Sequence, residues 1–310
     1  MSDFFCRASA LGATKHKILL YGPSKSGKTF GSLRASCDLH KDPTKEVLTG
    51  DPGYAGIVFE HQAMQSVKLA NPQALVRVID PTDDSHGDAL NQLREFMKMA
   101  MDGTLLSMGI HTLALDGLTE IQQIFRDDII GYDAADDTPF TWDDWRDLNG
   151  RMRRFLRTMR GLPFHVVCTA LDQEKSDDEG VIRSVRPLLD GQAIRAEVPA
   201  YFASVGYAMK NVRTKLGARG TIVEYSTMWD GPSIYKVGAS IPLGGVTPTC
   251  SGHWIDVLNG ATAPEALALA LQYGVQGDMR VVHEEREEAD VTDEVTAATT
   301  SRRRQRAAKE

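Results

Sequence analysis

Short unbroken apolar runs alternate along this chain with longer stretches in which apolar residues recur every three or four positions. The runs at 17–21, 57–59, 75–79, 111–115 and 164–169 have the length and residue types of buried strands. Between them, Ala89, Leu93, Phe96, Met97 and Ala100 fall on one face of a helix. So do Ile121, Ile124, Phe125 and Ile129, and then Leu148, Met152, Phe155, Leu156 and Met159. The methionines in these faces are read as core filling. Alternation of this kind predicts an α/β fold whose mostly parallel sheet is flanked by helices.

After about residue 180 the pattern shortens. VIRSVRPLL, ASVGYAMKNV, RGTIVEYSTMW and SIYKVGASI are β-rich and separated by glycines, which predicts hairpins appended to the sheet. Residues 263–273 make one further apolar-rich helix pattern, and beyond Gly277 apolar periodicity is lost up to the closing SRRRQRAAKE. The expected organisation is an arm at 1–14, an α/β domain at 15–250, a helical segment at 251–277 and a disordered charged tail at 278–310.

Composition narrows the function classes. Of 310 residues, 42% are hydrophobic and 25% charged, ordinary values for a globular protein. No apolar run approaches the roughly 18–20 residues that span a bilayer, and the N-terminus lacks the pattern of a secretory signal. Cys6, Cys37, Cys168 and Cys250 are widely spaced, which argues against a zinc site or disulfide framework and fits a reducing cytoplasm. The net charge of −7 excludes a general polyanion binder, so any nucleic-acid contact must come from a local basic feature.

The strongest local signal is Gly22-Pro23-Ser24-Lys25-Ser26-Gly27-Lys28-Thr29, which matches G-x-x-x-x-G-K-[ST] with a strand before it and an amphipathic segment from Phe30 after it. Gly22 and Gly27 let the backbone curl so that successive N–H groups converge on phosphate oxygens, and the following helix N-terminus adds positive potential. Lys28 is expected on the β and γ phosphates and the Thr29 hydroxyl on Mg²⁺. Lys25 is read as a solvated lysine. In HTLALDGLTE an apolar strand ends on Asp116, which places a carboxylate at the sheet edge where ligands collect. Asp116 is therefore expected to hold Mg²⁺, directly or through water.

Hydrolysis also needs a group that orients the attacking water. Gly117 follows Asp116, so the base must come from elsewhere. Glu60, at the end of the GIVFE strand, is the first candidate and Glu120 the second. Thr169 and Gln173 stand where a polar sensor of the γ-phosphate belongs. Thr169-Ala170-Leu171-Asp172 lacks the lysine of an N/T-K-x-D base-reading motif, and no DxxG switch follows the Asp116 strand, which argues against GTP. Two basic features are weighed for DNA: the helix bearing Arg151, Arg153, Arg154, Arg157 and Arg160, read first as a solvated face, and a mobile glycine-containing loop at 172–186 with Lys175, Arg183 and Arg186. The terminal SRRRQR is a further candidate tether for nucleic acid or a partner.

GPSKSGKT, FEHQ, LALDGLTE, the WDDWRDLNGRMRRFLRTMRGLPFHVVCTA stretch and PLLDGQ…VPAYFASVGYAM together resemble the RecA-like P-loop ATPases of bacteriophages, including RecA-core single-strand annealing proteins, over about residues 15–240. The resemblance implies a RecA-like P-loop NTPase core that uses ATP with Mg²⁺. It also implies a homo-oligomer whose sites are shared between subunits, located in the host cytoplasm. The role it implies is on single-stranded DNA in phage recombination, annealing or replication, with a single-strand-binding protein as a further partner. On that mapping Gly22, Gly27, Lys28 and Thr29 form the nucleotide loop, Asp116 is the metal aspartate and Glu60 the catalytic glutamate. SIYKVGAS departs from the family's Lys-x-Arg pair, with Lys236 present but Gly238 in the arginine's place. A non-catalytic ATP-binding assembly protein and a small-molecule kinase remain as alternatives.

Overall fold

The first predicted strand forms where its apolar run stands. β1 (Lys17–Tyr21) is buried along its whole length in a computed structural model that describes residues 15–33, 52–79, 86–131, 134, 138–214, 221–239, 246–248 and 280–283. It runs into the glycine loop and then α1 (Lys28–Leu33). The chain continues through β2 (Tyr54–Val58), α2 (Ala63–Ala70), β3 (Leu75–Val78), α3 (His86–Met101), α4 (Thr104–Ser107), β4 (Thr112–Asp116) and α5 (Leu118–Ile130). Next come α6 (Trp142–Gly161), β5 (His165–Ala170), the hairpin of β6 (Asp172–Ser176) and β7 (Ile182–Pro187), and α7 (Gln192–Glu197). The remaining strands are β8 (Ser204–Thr214), β9 (Thr221–Met228), β10 (Gly238–Ala239), β11 (Val246–Pro248) and β12 (Arg280–His283).

Six strands pair in parallel in the order β8-β1-β5-β4-β2-β3, with β9 and β11 beyond β8. Every residue of β1, β2 and β5 is buried, as expected of strands covered on both faces. The three amphipathic helices form as their spacing predicts, with Leu148, Met152, Leu156 and Met159 fully buried beneath α6. A capping box starts α6: the Thr141 hydroxyl accepts from the Asp144 N–H, and the Asp144 carboxylate accepts from the Thr141 N–H at 2.8 Å. At the opposite end of the sheet from the loop, buried Lys17 donates from Nζ to the carbonyls of Leu162 and Phe164. Burial lowers its pKa to about 8. No helix among the described residues is long and apolar enough to cross a membrane.

Four details differ from the sequence reading. β2 begins at Tyr54 rather than Ile57, because Ala55 and Gly56 carry little hydrophobic signal yet pack tightly. A Cβ on Gly56 would lie 3.1 Å from the Ala114 carbonyl oxygen. β8 is a member of the core sheet as well as an arm of the expected hairpin: it neighbours β9 on one side, and on the other Ile18 to Tyr21 pair in parallel with Ser204 to Tyr207. The segment at 172–186 is a β-hairpin rather than a mobile loop, with Gln173 opposite Arg186 and Lys175 opposite Ser184. Arg280–His283, within the tail expected to be disordered, form β12. The helix pattern at 263–273, the N-terminal arm and Cys6, Cys37 and Cys250 lie outside the described residues.

The chain divides into two compact units. The first is Met1–Lys210 with Tyr225–Met279 and contains the parallel sheet. The second is Asn211–Glu224 with Arg280–Glu310, in which β12 pairs antiparallel with residues 221–224.

Gly206 sits in β8 against the fully buried Trp229. A Cβ there would come within 2.6 Å of both the indole ring and the Thr227 methyl. Gly206→Ala is therefore expected to destabilise the protein by about 1–3 kcal/mol through overpacking. Urea unfolding monitored by tryptophan fluorescence checks this, and an unchanged midpoint would refute it.

Candidate functional site

The glycine loop turns sharply between β1 and α1, and three of its residues show why. Gly22 (φ 157°) lies so close to β8 that a Cβ would stand 2.3 Å from the Ala208 carbonyl oxygen. Gly27 (φ 83°) presses against Tyr225, whose ring would lie 3.2 Å from an added Cβ. Between them, Lys25 adopts φ 61°, the one non-glycine among the described residues at positive φ. Such a conformation persists only where the surroundings impose it. Its side chain is exposed, as a solvated lysine's would be.

A cavity of about 310 Å³ opens over this loop. Its walls include Ser24, Lys25, Gly27, Lys28, Thr29 and Phe30 from the loop and α1, Glu60 from the tip of β2, Asp116 from β4, Glu120 from α5 and Thr169 from β5. Pro23 is exposed beside it and Ser26 is fully buried beneath, its hydroxyl without a partner. Parallel pairing explains the convergence, since Asp116 and Thr169 are register partners at the same end of adjacent strands.

At the centre is the Asp116 carboxylate. Thr29 donates its hydroxyl to Oδ2 at 2.7 Å, and Thr169 donates to Oδ1 at 2.7 Å. Burial pushes the Asp116 carboxyl above the ordinary carboxylate range, against the opposing pull of the Thr169 and Thr29 hydroxyls and of Lys28. A hydroxyl and a carboxylate oxygen at this spacing are the hard oxygen donors that suit Mg²⁺, so Thr29 and Asp116 fit that ion. Thr169, expected as a phosphate sensor, commits its hydroxyl to Asp116 and so orients the carboxylate.

Lys28 folds back on its own loop, donating from Nζ to the carbonyls of Gly22 at 2.8 Å and Pro23 at 2.7 Å. Burial lowers its pKa, while Asp116 and Asp172 act in the opposite direction. Glu60 is exposed at the mouth of the cavity. Glu120 is half-buried, and burial, then the charges of Glu60 and Asp127, raise its pKa. Both candidate bases thus share the wall that holds Asp116.

Several neighbours of the site carry no spacing signal. Asp172 accepts from the Tyr207 hydroxyl at 3.0 Å. The Tyr21 hydroxyl accepts from the Lys236 N–H at 2.9 Å and donates to the Val185 carbonyl. The rings of Tyr21, Tyr207 and Tyr235 pack in series. Partners separated by up to 215 residues leave no local pattern to read. Gln173 lies on β6 outside the cavity lining, and the Lys236 side chain is exposed. Gly238 pairs with Val205 of β8.

Most arginines of α6 are engaged elsewhere. Arg151 pairs with Asp128 and Asp147, Arg153 forms a two-pronged pair with Glu197, and Arg154 approaches Asp147 at 3.9 Å. These contacts tie α6 to α5 and α7 and favour the structural reading of that helix over a nucleic-acid face.

A family model described as an AAA domain matches residues 14–233, more than half of the chain, and the chain belongs to that family. AAA domains are nucleotide-binding P-loop ATPase domains, and the match spans the loop, Asp116 and Thr169. No curated protein matches the chain.

Asp116→Asn removes a buried charge while keeping the shape of the side chain. The folded-state pKa is raised, so the native protein loses stability as pH rises from the ordinary carboxylate range through that raised value. The variant is therefore expected to melt higher than the native protein at neutral pH without nucleotide, with the advantage shrinking as pH falls toward the ordinary range. Thermal melts across that interval test the expectation, and a lower neutral-pH midpoint for the variant would contradict it.

Proposed function

We propose that this AAA-domain protein binds ATP with Mg²⁺ in the cavity above the glycine loop and hydrolyses it in the manner of RecA-type ATPases. The observation that carries the reading is the convergence of Thr29, Asp116 and Thr169 at 2.7 Å contacts beside Lys28. On this reading the amides around Gly27 cradle the phosphates. Lys28 exchanges the carbonyls of Gly22 and Pro23 for the β- and γ-phosphate oxygens. Thr29 and Asp116 hold Mg²⁺, which would neutralise charge on the phosphate oxygens. Thr169 keeps the Asp116 carboxylate aimed at that position. Glu60, exposed at the cavity mouth, orients the attacking water and accepts its proton. Glu120, whose burial favours its neutral form, is the second candidate for that role.

We further propose that the ATPase works as a homo-oligomer on single-stranded DNA in recombination, annealing or replication, alongside a single-strand-binding protein. Support comes from the order and spacing of the motifs, together with a parallel sheet whose Glu60, Asp116 and Thr169 occupy adjacent strand tips. A second reading, ATP binding that sets assembly without turnover, is favoured by the net charge of −7 and by Gly238, which stands where the resembled group carries an arginine.

Lys28→Ala is expected to abolish Mg²⁺-dependent ATP hydrolysis. Glu60→Gln should lower turnover by about 10²–10⁴-fold while nucleotide binding persists. Phosphate release measured for the two variants separates the roles, and full activity in Glu60→Gln would transfer the base to Glu120. Wild-type ATPase is expected to rise with single-stranded DNA, and the rise to fade as salt increases. Tight ATP binding with no phosphate release under any of these conditions would select the assembly reading.

A further inference from the structure

A second hollow, of about 550 Å³, opens on the helical layer and shares no lining residue with the cavity over the glycine loop. One wall comes from α3, where Leu93, Arg94, Met97 and Met101 recur at helical spacing. The other comes from α6, with Asp147, Arg151, Arg154 and Phe155. Phe125 of α5 reaches the floor between them and meets Phe155 edge to face, with ring centroids 6.0 Å apart. The floor is apolar, since Leu93, Met97, Phe125 and Phe155 are all buried, while Met101 at the rim is exposed. An apolar floor with adaptable methionines suits the insertion of one large apolar side chain.

The rim sets the charge that such a side chain must bring with it. Arg94, Arg151 and Arg154 line the groove against the single lining carboxylate of Asp147. Arg151 is committed to Asp128 and Asp147. Arg154 is exposed and approaches Asp147 no nearer than 3.9 Å. Arg94 is exposed and reaches Asn91 of its own helix at 3.5 Å. One available guanidinium therefore stands on each wall, and with Asp128 counted the groove keeps one positive charge in excess. The complement lies elsewhere on the same chain. Trp142, the first residue of α6, is 83% exposed, the most of any large hydrophobic side chain among the described residues. A covered aromatic side chain buries roughly 150–250 Å². Beside it the Asp143 side chain is 75% exposed and pairs with the equally exposed Arg146, a contact weak enough to exchange for another. Trp142 and Asp143 together make an apolar knob with a carboxylate at its side.

We propose that the groove between α3 and α6 is an interface between copies of this chain, and that its occupant is Trp142 of a second copy. The indole enters over Phe125 and Phe155, and Asp143 beside it meets Arg94 and Arg154 at the rim. The inference rests on the homo-oligomer proposed above and deepens it by naming the contact. Tryptophan and arginine are the residue types that dominate binding energy at interfaces, and opposite charges around an apolar anchor fix its register. Knob and groove are different patches, so each copy offers one of each, a head-to-tail contact that generates rings or filaments.

Sedimentation velocity of the full chain over a range of concentrations tests it, with and without Mg²⁺ and a slowly hydrolysed ATP analogue. The wild type is expected to associate. Trp142→Ala should raise the dissociation constant about thirtyfold or more, the loss expected of an interface hot spot. Arg94→Glu combined with Arg154→Glu should do the same from the other side. All three positions are exposed, so both variants should keep the wild-type circular dichroism spectrum. Mixed one to one, the two variants should form a heterodimer, because one keeps an intact knob and the other an intact groove. Damage to the fold would not produce that recovery. A wild type that stays a monomer in both conditions overturns this contact and the homo-oligomer reading together. Association unchanged in either variant, or no heterodimer from the mixture, overturns the contact alone and leaves the homo-oligomer standing. A benzophenone cross-linker placed at position 101 separates the remaining occupants. A product joining two chains at the peptide that contains Trp142 is expected. Reaction within one chain at residues 263–273 would assign the groove to that segment and refute the proposal.

Discussion

The Asp116 carboxylate, gripped by two threonine hydroxyls from different parts of the chain, is the contact on which the site depends. It joins the first turn of α1, the tip of β4 and the tip of β5, three elements that meet only because their strands run in parallel and in register. The grip has an electrostatic cost, because burial disfavours the charged carboxylate, and two donated hydrogen bonds with the nearby Lys28 offset part of it. An incompletely compensated buried charge is a sound basis for binding a dication, since the ion supplies what the protein leaves short.

Around this centre the fold brings the backbone as close as glycine allows. Gly22 lies against β8 and Gly27 against Tyr225, so the loop is shaped from outside as well as by its own sequence. Tyr21, Tyr207 and Tyr235 continue that support, linking β1 and β8 to the hairpin and to the segment carrying Lys236. The phosphate loop is thus packed against elements that enter the chain almost two hundred residues later.

Charge is distributed unevenly between chemistry and structure. The arginines of α6 make up the most conspicuous basic pattern, yet Arg151 and Arg153 are spent on carboxylates of α5, α6 and the end of α7. Half-buried pairs of this kind occupy the side chains and fix how the helices meet.

The parallel α/β core, its amphipathic helices and the positions of Gly22, Lys28, Thr29 and Asp116 were legible in the sequence. Each depends on local rules: apolar runs for buried strands, three-to-four spacing for helix faces, and a glycine-bounded turn between strand and helix. Glu60 could be placed at a strand tip for the same reason. What only the tertiary structure decided were the relations between distant segments. These are the parallel seating of β8 beside β1, the commitment of Thr169 to Asp116, the pairing of the α6 arginines, and the hairpin that sets Gln173 opposite Arg186. Such contacts are fixed by strand order and register, which arise when the whole sheet assembles, and no window of neighbouring residues contains them.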